Sequence, residues 1–322
     1  MNEIFNSNFQ ENIRGFLSEK RTLGYTYKVD AQHLLHFDRY CLLYYPDQQE
    51  LTQEIITSWA MQRSTENNGG LSRRITTIRE FGKYVARSGN PSFILPPNMY
   101  PRRIKYPPHI FTDEELHIFF RAADSIIQDH RSPSRFVSAP VALRVMYCCG
   151  LRPSELVSLK TKDVDLETGI ITVRQSKGKK DRAVMLSEDV ASLCRRYRKY
   201  VEQRFVRSEY FFCMHNGRKY STQWLRDTFH DCYRLAGEDN FASPVPRLYD
   251  LRHSFATRCL YNWLMDGRDL QAWFPYLSAY MGHVEFEDTA YYIHLVPQFF
   301  PYIQDMNTNH YAHLIPEVEH DI

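Results

Sequence analysis

From Phe9 to Ala86 the apolar residues return every three or four positions, as in Ile13, Phe16 and Leu17 and then Leu34, Leu35, Phe37 and Tyr40. A 3.6-residue repeat lines such positions along one face of a helix. The pattern predicts four helices, over 8–21, 28–44, 51–63 and 70–87, with breaks at Gly24-Tyr25, Pro46-Asp47 and Asn67-Asn68-Gly69-Gly70. Thr52 is placed to cap the third, and Ser72 stands at the start of the fourth. The fourth helix is two-sided. Ile75, Ile78, Phe81 and Val85 suit a core, while Arg73, Arg74, Arg79, Lys83 and Arg87 make a basic edge.

The helical repeat stops at Ser88, where Gly89-Asn90-Pro91, Pro96-Pro97, Pro101 and Pro107-Pro108 follow with Arg102, Arg103 and Lys105 between them. A helix cannot persist through so many prolines. Residues 89–109 therefore read as an extended basic linker between a helical domain, 1–88, and a second domain, 110–300. A chain of 322 residues has room for two cores. In the second domain Thr112 and Glu115 form a capping-box pattern, a helix runs over Ala139–Cys149 and ends at Gly150, and another starts after Pro153. Alternating apolar residues in 169–173 and 183–186 flank a polar turn and predict a β-hairpin. The fold class is mainly α with a small β-hairpin or sheet, α+β in the second domain.

Lys and Arg (40) nearly balance Asp and Glu (38), so the net charge of +2 does not by itself announce a nucleic-acid partner. Local clusters must carry that argument. Seven cysteines, with Cys148 and Cys149 adjacent, suit reduced thiols rather than a disulfide framework. Cys213 and His215 have no second pair at ligand spacing, so no metal site is expected. The N-terminus lacks a signal pattern and no apolar run reaches bilayer length, so a cytoplasmic protein without a membrane partner is expected.

Phosphodiester exchange needs a nucleophile, positive charge on the non-bridging oxygens and an acid for the leaving alkoxide, and requires no metal or cofactor. Arginine suits the clamp because its planar fork binds phosphate bidentately and stays charged. Arg152 lies between a helix-ending Gly150 and a helix-starting Pro153, near a helix N-terminus, with Glu155 one turn later to hold it. Arg252 lies in Leu251-Arg252-His253, His283 follows Gly282, and Tyr292 stands in Thr289-Ala290-Tyr291-Tyr292-Ile293-His294.

In this order, Arg152, Lys177, Arg252, His283 and Tyr292 resemble the site of the tyrosine recombinase, or phage integrase, family, in its transposon-borne subgroup. The interval of nine residues from His283 to Tyr292 and the pattern Thr-x-x-Tyr-x-His both match, and they select Tyr292 over Tyr291. The resemblance implies a site-specific recombinase that cuts and rejoins DNA through a 3′-phosphotyrosyl link at Tyr292, without ATP. In such enzymes the hairpin lysine, here Lys177, protonates the leaving 5′ hydroxyl. Lys179, Lys180 and Arg182 on that hairpin, with Arg73, Arg74, Arg102, Arg103 and Lys105, would contact the DNA backbone. Tyr249 replaces the histidine of the family's His-x-x-Arg. A phenol is a poor base at neutral pH, and His253, one residue past Arg252, points about 100° away from it, which suits a bracing role.

The resemblance further implies a C-shaped clamp of a four-helix core-binding domain and a catalytic domain on double-stranded recombination sites. It implies a homo-tetramer on synapsed DNA, working alone or with sister recombinases. Residues 301–322 are either a docking segment for a neighbouring protomer or a disordered tail. Two other readings share these features: a DNA-binding homologue impaired in catalysis, suggested by Tyr249, and a type IB topoisomerase-like enzyme.

Overall fold

Helices form where the apolar repeat predicts them: α1 (Gln10–Thr22), α2 (Lys28–Tyr44), α3 (Gln53–Trp59) and α4 (Asn68–Arg87). The computed structural model describes residues 4–97, 99, 107–174, 181–285 and 287–295. Thr52 caps α3, its Oγ1 accepting from the Ile55 amide at 3.3 Å. α3 stops at Trp59, short of the predicted 63, because the Arg74 guanidinium binds the Trp59 and Met61 carbonyls as a C-terminal cap. The cap of α4 is Asn67 rather than Ser72. Its Oδ1 accepts from the Gly70 amide at 2.9 Å, which starts the helix two residues before the predicted 70. The buried face packs edge-on aromatics, with Phe16 against Phe81 at 5.7 Å and Phe37 against Trp59 at 5.4 Å.

The chain divides into two units, 1–106 and 107–322. Both flanks of the expected linker are pinned. The Phe93 amide donates to the Leu51 carbonyl at 2.7 Å and Leu95 is buried in the first unit's core. At the other flank, buried His109 bonds the Glu115 carboxylate at 3.0 Å.

In the second unit, α5 (Asp113–Asp124) opens with the expected capping box of Thr112 and Glu115. α6 (Arg135–Cys148) starts before Ala139 and carries Pro140 in its interior, where the ring forgoes one backbone bond. α7 (Pro153–Ser158) follows Arg152. The strands β1 (Val164–Asp165), β2 (Ile170–Val173) and β3 (Arg182–Met185) form an antiparallel sheet in that order, with Ile171 opposite Val184 and Val173 opposite Arg182. Sequence alternation identified β2 and β3. The two-residue β1 is too short to alternate.

The rest is α8 (Glu188–Arg204), α9 (Thr222–Leu235), α10 (Asp250–Met265), α11 (Leu270–Met281), α12 (Glu287–Ala290) and a 3-10 helix, Tyr291–Leu295. One core joins α5 to α9 and the sheet, while a smaller one joins Ala256, Leu260, Phe274, Leu277, Met281 and Tyr292. Tyr292 thus belongs to the packing of α10 and α11. Among the described residues no helix is long and apolar enough to cross a membrane.

Candidate active site

Helix α11 ends in a left-handed Gly282 (φ 65°), and the His283 amide bonds the Ser278 carbonyl at 3.1 Å. This Schellman closure turns the chain so that His283 leaves the helix directly over α10. Arg252, in the first turn of α10, is fully buried. Its guanidinium donates to the Gly150 carbonyl, to the Met281 carbonyl at 2.6 Å and to His283 Nε2 at 3.2 Å. Arginine can only donate, so Nε2 accepts and the His283 proton sits on Nδ1. Nδ1 then donates to Thr289 Oγ1 at 2.6 Å.

Arg152 reaches the same turn from the start of α7. Its Nη2 donates to the Gly282 carbonyl at 2.7 Å, and Nη1 donates to Glu155 Oε1 at 2.8 Å. The Arg152 amide donates to Glu155 Oε2 at 2.9 Å, so Glu155 holds the residue at both backbone and side chain. Burial alone would raise the Glu155 carboxyl, but the donors from Arg182 and Arg152 hold it at about 2.

Tyr292 is 2% exposed and Tyr291 40%. That difference separates two adjacent phenols. The Tyr292 ring stacks on His283 at 5.9 Å between centroids and lies 5.6 Å from the His253 ring. Burial pushes its phenol up to about 12, against the opposing pull of the Arg252 guanidinium beside it. Tyr249, half exposed at the start of α10, lies 5.1 Å from His253. Four residues separate these two, so they share a helix face. Burial also lowers the His253 imidazole to about 4, and its Nδ1 is buried with no hydrogen-bond partner. His253 therefore packs beside Tyr292 as well as following Arg252 in the first turns of α10.

Arg152, Glu155, Tyr249, Arg252, His253, His283 and Tyr292 thus meet at one end of α10 and α11. Two expected DNA contacts are corrected. Arg74 is buried, forked onto Glu66 through Nε at 2.9 Å and Nη2 at 2.6 Å, with Trp59 beneath it. Arg182 is enclosed too, its Nη1 and Nη2 on Glu155 at 2.9 and 2.7 Å. Both sit in basic runs, but their guanidiniums point inward. Arg73 is exposed on α4. Lys177, Lys179, Lys180, Arg102, Arg103, Lys105 and the 301–322 tail lie outside the described residues.

Residues 112–298, more than half of the chain, match the phage integrase family. The chain belongs to that family. It is a tyrosine-type recombinase, and a Sinorhizobium fredii protein named as integrase/recombinase y4rB is 27% identical to it over 304 residues, covering 91% of this chain and 94% of the relative. The tyrosine recombinase XerC of Staphylococcus epidermidis is 27% identical over 231 residues, 71% of each chain. The fold is that of the Tn1549 transposon integrase in complex with transposon right-end DNA, with a TM-score of 0.64, 15% identity and 87% and 94% coverage. It is also that of the XerH site-specific recombinase bound to difH, with a TM-score of 0.61, 21% identity and 86% and 77% coverage.

Two supports in this recombinase had no distinct signal in the sequence: Thr289 under His283, present only as part of the Thr-x-x-Tyr-x-His pattern, and the inward Arg182. Nothing in a basic hairpin distinguishes an arginine that faces the core from one that faces solvent.

Proposed function

We propose that this recombinase cuts and rejoins double-stranded DNA at specific sites through a phosphotyrosine at Tyr292. The phenolic oxygen attacks the scissile phosphorus, the P–O5′ bond breaks, and a 3′-phosphotyrosyl link and a 5′ hydroxyl result. Arg152 and Arg252 bind the non-bridging oxygens, with His283 beside them, and so stabilise the charge that develops on them. Lys177 supplies the leaving-group proton. The Tyr292 proton passes to the neutral imidazole of His253, whose Nδ1 has no other partner, and whose basicity rises when the phosphate charge arrives. Reversal of these steps with a second 5′ hydroxyl rejoins the strands and needs no cofactor.

The observation that carries this reading is the buried Tyr292 packed on His283 beside a fully buried Arg252. A role in a mobile element, as integrase or transposase, follows the Sinorhizobium fredii integrase/recombinase y4rB and the Tn1549 transposon integrase. Arg73 and the linker arginines hold the DNA backbone, and the acting form is a homo-tetramer on two sites.

The test uses a nicked duplex carrying the site that the full-length chain selects from a random pool. Wild type and Tyr291→Phe are expected to form a covalent protein–DNA adduct, and Tyr292→Phe to bind equally well and form none. An adduct with Tyr292→Phe overturns the choice of nucleophile. Tyr249 at the position of the family histidine favours a second reading, a homologue that binds DNA without cutting it, which absence of adduct from wild type would support.

A further inference from the structure

Three guanidinium groups converge on the end of α11. The carbonyls of Tyr280, Met281 and Gly282 accept from Arg182 Nε at 2.7 Å, Arg252 Nη2 at 2.6 Å and Arg152 Nη2 at 2.7 Å. Carbonyls at a helix C-terminus lack intrahelical partners and carry the negative end of the dipole, so cations are favoured there. Two of these arginines are the proposed phosphate clamp. Arg182 differs from both because Glu155 takes its two terminal nitrogens in a fork, Nη1 on Oε1 and Nη2 on Oε2.

The same two carboxylate oxygens receive Arg152, Oε1 from its Nη1 and Oε2 from its amide. Glu155 is therefore shared between an arginine on β3 and one at the start of α7. Arg182 also lies flush against the turn before His283: a Cβ on Gly282 would stand 3.0 Å from Arg182 Nη1 and 3.1 Å from its Cδ. One side chain thus touches both the carboxylate that orients Arg152 and the turn that presents His283.

We propose that Arg182 is a positioning residue, which sets the aim of Arg152 and His283 through Glu155 and the end of α11 and makes no phosphate contact itself. A bidentate fork fixes the plane of the carboxylate it binds. Without that fork, the enclosed Glu155 would lose the partner that fixes its plane and would keep Arg152 within reach. It would draw the Arg152 guanidinium onto both of its oxygens and away from the phosphate. A displacement of about 1 Å in such a group costs on the order of a hundredfold in rate.

The inference rests on Arg152 being a charge clamp, and the experiment separates the two claims. Single-turnover cleavage is measured on the selected nicked duplex with an ordinary scissile phosphate, and again with a methylphosphonate there, which has one charged oxygen replaced by methyl and so no anionic charge to hold. Arg182→Gln is expected to cleave the ordinary duplex about a hundredfold more slowly than wild type while binding it equally. On the methylphosphonate its rate should approach that of wild type, as should that of Arg152→Ala. Equal losses on both substrates for Arg182→Gln, with Arg152→Ala spared on the methylphosphonate, overturn the positioning role. So does loss of DNA binding in step with cleavage, which would make Arg182 a phosphate contact. If Arg152→Ala loses equally on both substrates, the clamp reading falls and the proposal falls with it. Arg182→Lys keeps the charge without the fork and is judged by the same criteria at a smaller loss, so the test stands even where the glutamine variant does not fold.

Discussion

Arg74 in the first unit and Arg252 in the second are among the largest fully buried side chains of the chain, and they are buried in opposite ways. Arg74 forks onto a carboxylate, Glu66, through Nε and Nη2, and caps α3 through Nη1 and Nη2. Its charge is neutralised where it lies. Arg252 bonds two carbonyls and an imidazole, keeps an unpartnered Nε, and has among its neighbours a like charge, Arg152, and a carboxylate, Glu155, that is bonded by other arginines. A buried charge without a carboxylate bonded to it is costly, so a fold that retains one holds a place for an anion. Burial of an arginine does not by itself mark a site. What marks it is burial without a carboxylate.

The largest expected effect follows directly. Arg252→Gln should slow adduct formation on the selected nicked duplex by roughly 10⁴-fold, since a buried cation at the transferring phosphoryl group is worth that order of rate. Its unfolding free energy in urea should change by less than about 1 kcal/mol, because an uncompensated charge has been removed along with the bonds. A large stability loss with cleavage intact would erase the contrast with Arg74.

Arg74→Gln should do the reverse. Removing one partner of an enclosed pair leaves Glu66 uncompensated and should cost about 3–5 kcal/mol of unfolding free energy. Replacing both, as Arg74→Met with Glu66→Gln, should recover part of that loss. Adduct formation per folded molecule should stay near wild type under conditions where the variant is folded. A selective loss of DNA affinity in a fully folded Arg74→Gln would return this residue to the DNA interface.

The contrast between the two arginines also shows where the sequence is readable. The order of Arg152, Arg252, His283 and Tyr292 fixed the family and named residues that the fold gathers at one helix end, because chemistry constrains which residue types stand at which spacing. Helices with a strict apolar repeat were legible for the same kind of reason, since the repeat follows from a burial face. Arg74 and Arg182 were not, since a basic run reads alike whether its guanidinium points out to solvent or in to a carboxylate. Their partners, Glu66 and Glu155, lie in other turns of chain. The approach of His253 to Tyr249 follows from their i, i+4 spacing. The α4 start lies two residues ahead of the predicted 70 because Asn67 caps it, ahead of two glycines.

The third effect sharpens the electrostatic side of the comparison. Burial, with the Arg252 charge acting in the same direction, holds the His253 imidazole at about 4 against an ordinary 6.5. The folded state thus resists protonation. The associated stability is complete above 6.5 and is lost as pH falls from 6.5 toward 4. Wild type should therefore lose about 2 kcal/mol more than His253→Gln between pH 7.5 and 4.5, a window that stops above the titration of the Glu155 carboxyl. In an Arg252→Gln background the difference should shrink, since one of the depressing charges is gone. No change there would mean that desolvation alone sets the imidazole.

The smallest effect compares the two units at the level of backbone. Gly89 and Gly282 both adopt positive φ, 86° and 65°, but a Cβ on Gly89 meets nothing within 4 Å whereas one on Gly282 meets Arg182 at 3.0 Å. Gly89→Ala should then cost only left-handed strain, about 1 kcal/mol of unfolding free energy, with adduct formation unchanged. Gly282→Ala carries the same strain and must also move Arg182 or the turn that presents His283, whose Met281 carbonyl holds Arg252. Its stability loss should be about 1–2 kcal/mol, and its cleavage rate should fall even in the folded fraction. Urea unfolding and single-turnover cleavage on the same preparations separate the two quantities. Equal behaviour of the two alanines in both assays would mean that the end of α11 tolerates displacement, and that the arginines gathered there are not held to a demanding geometry.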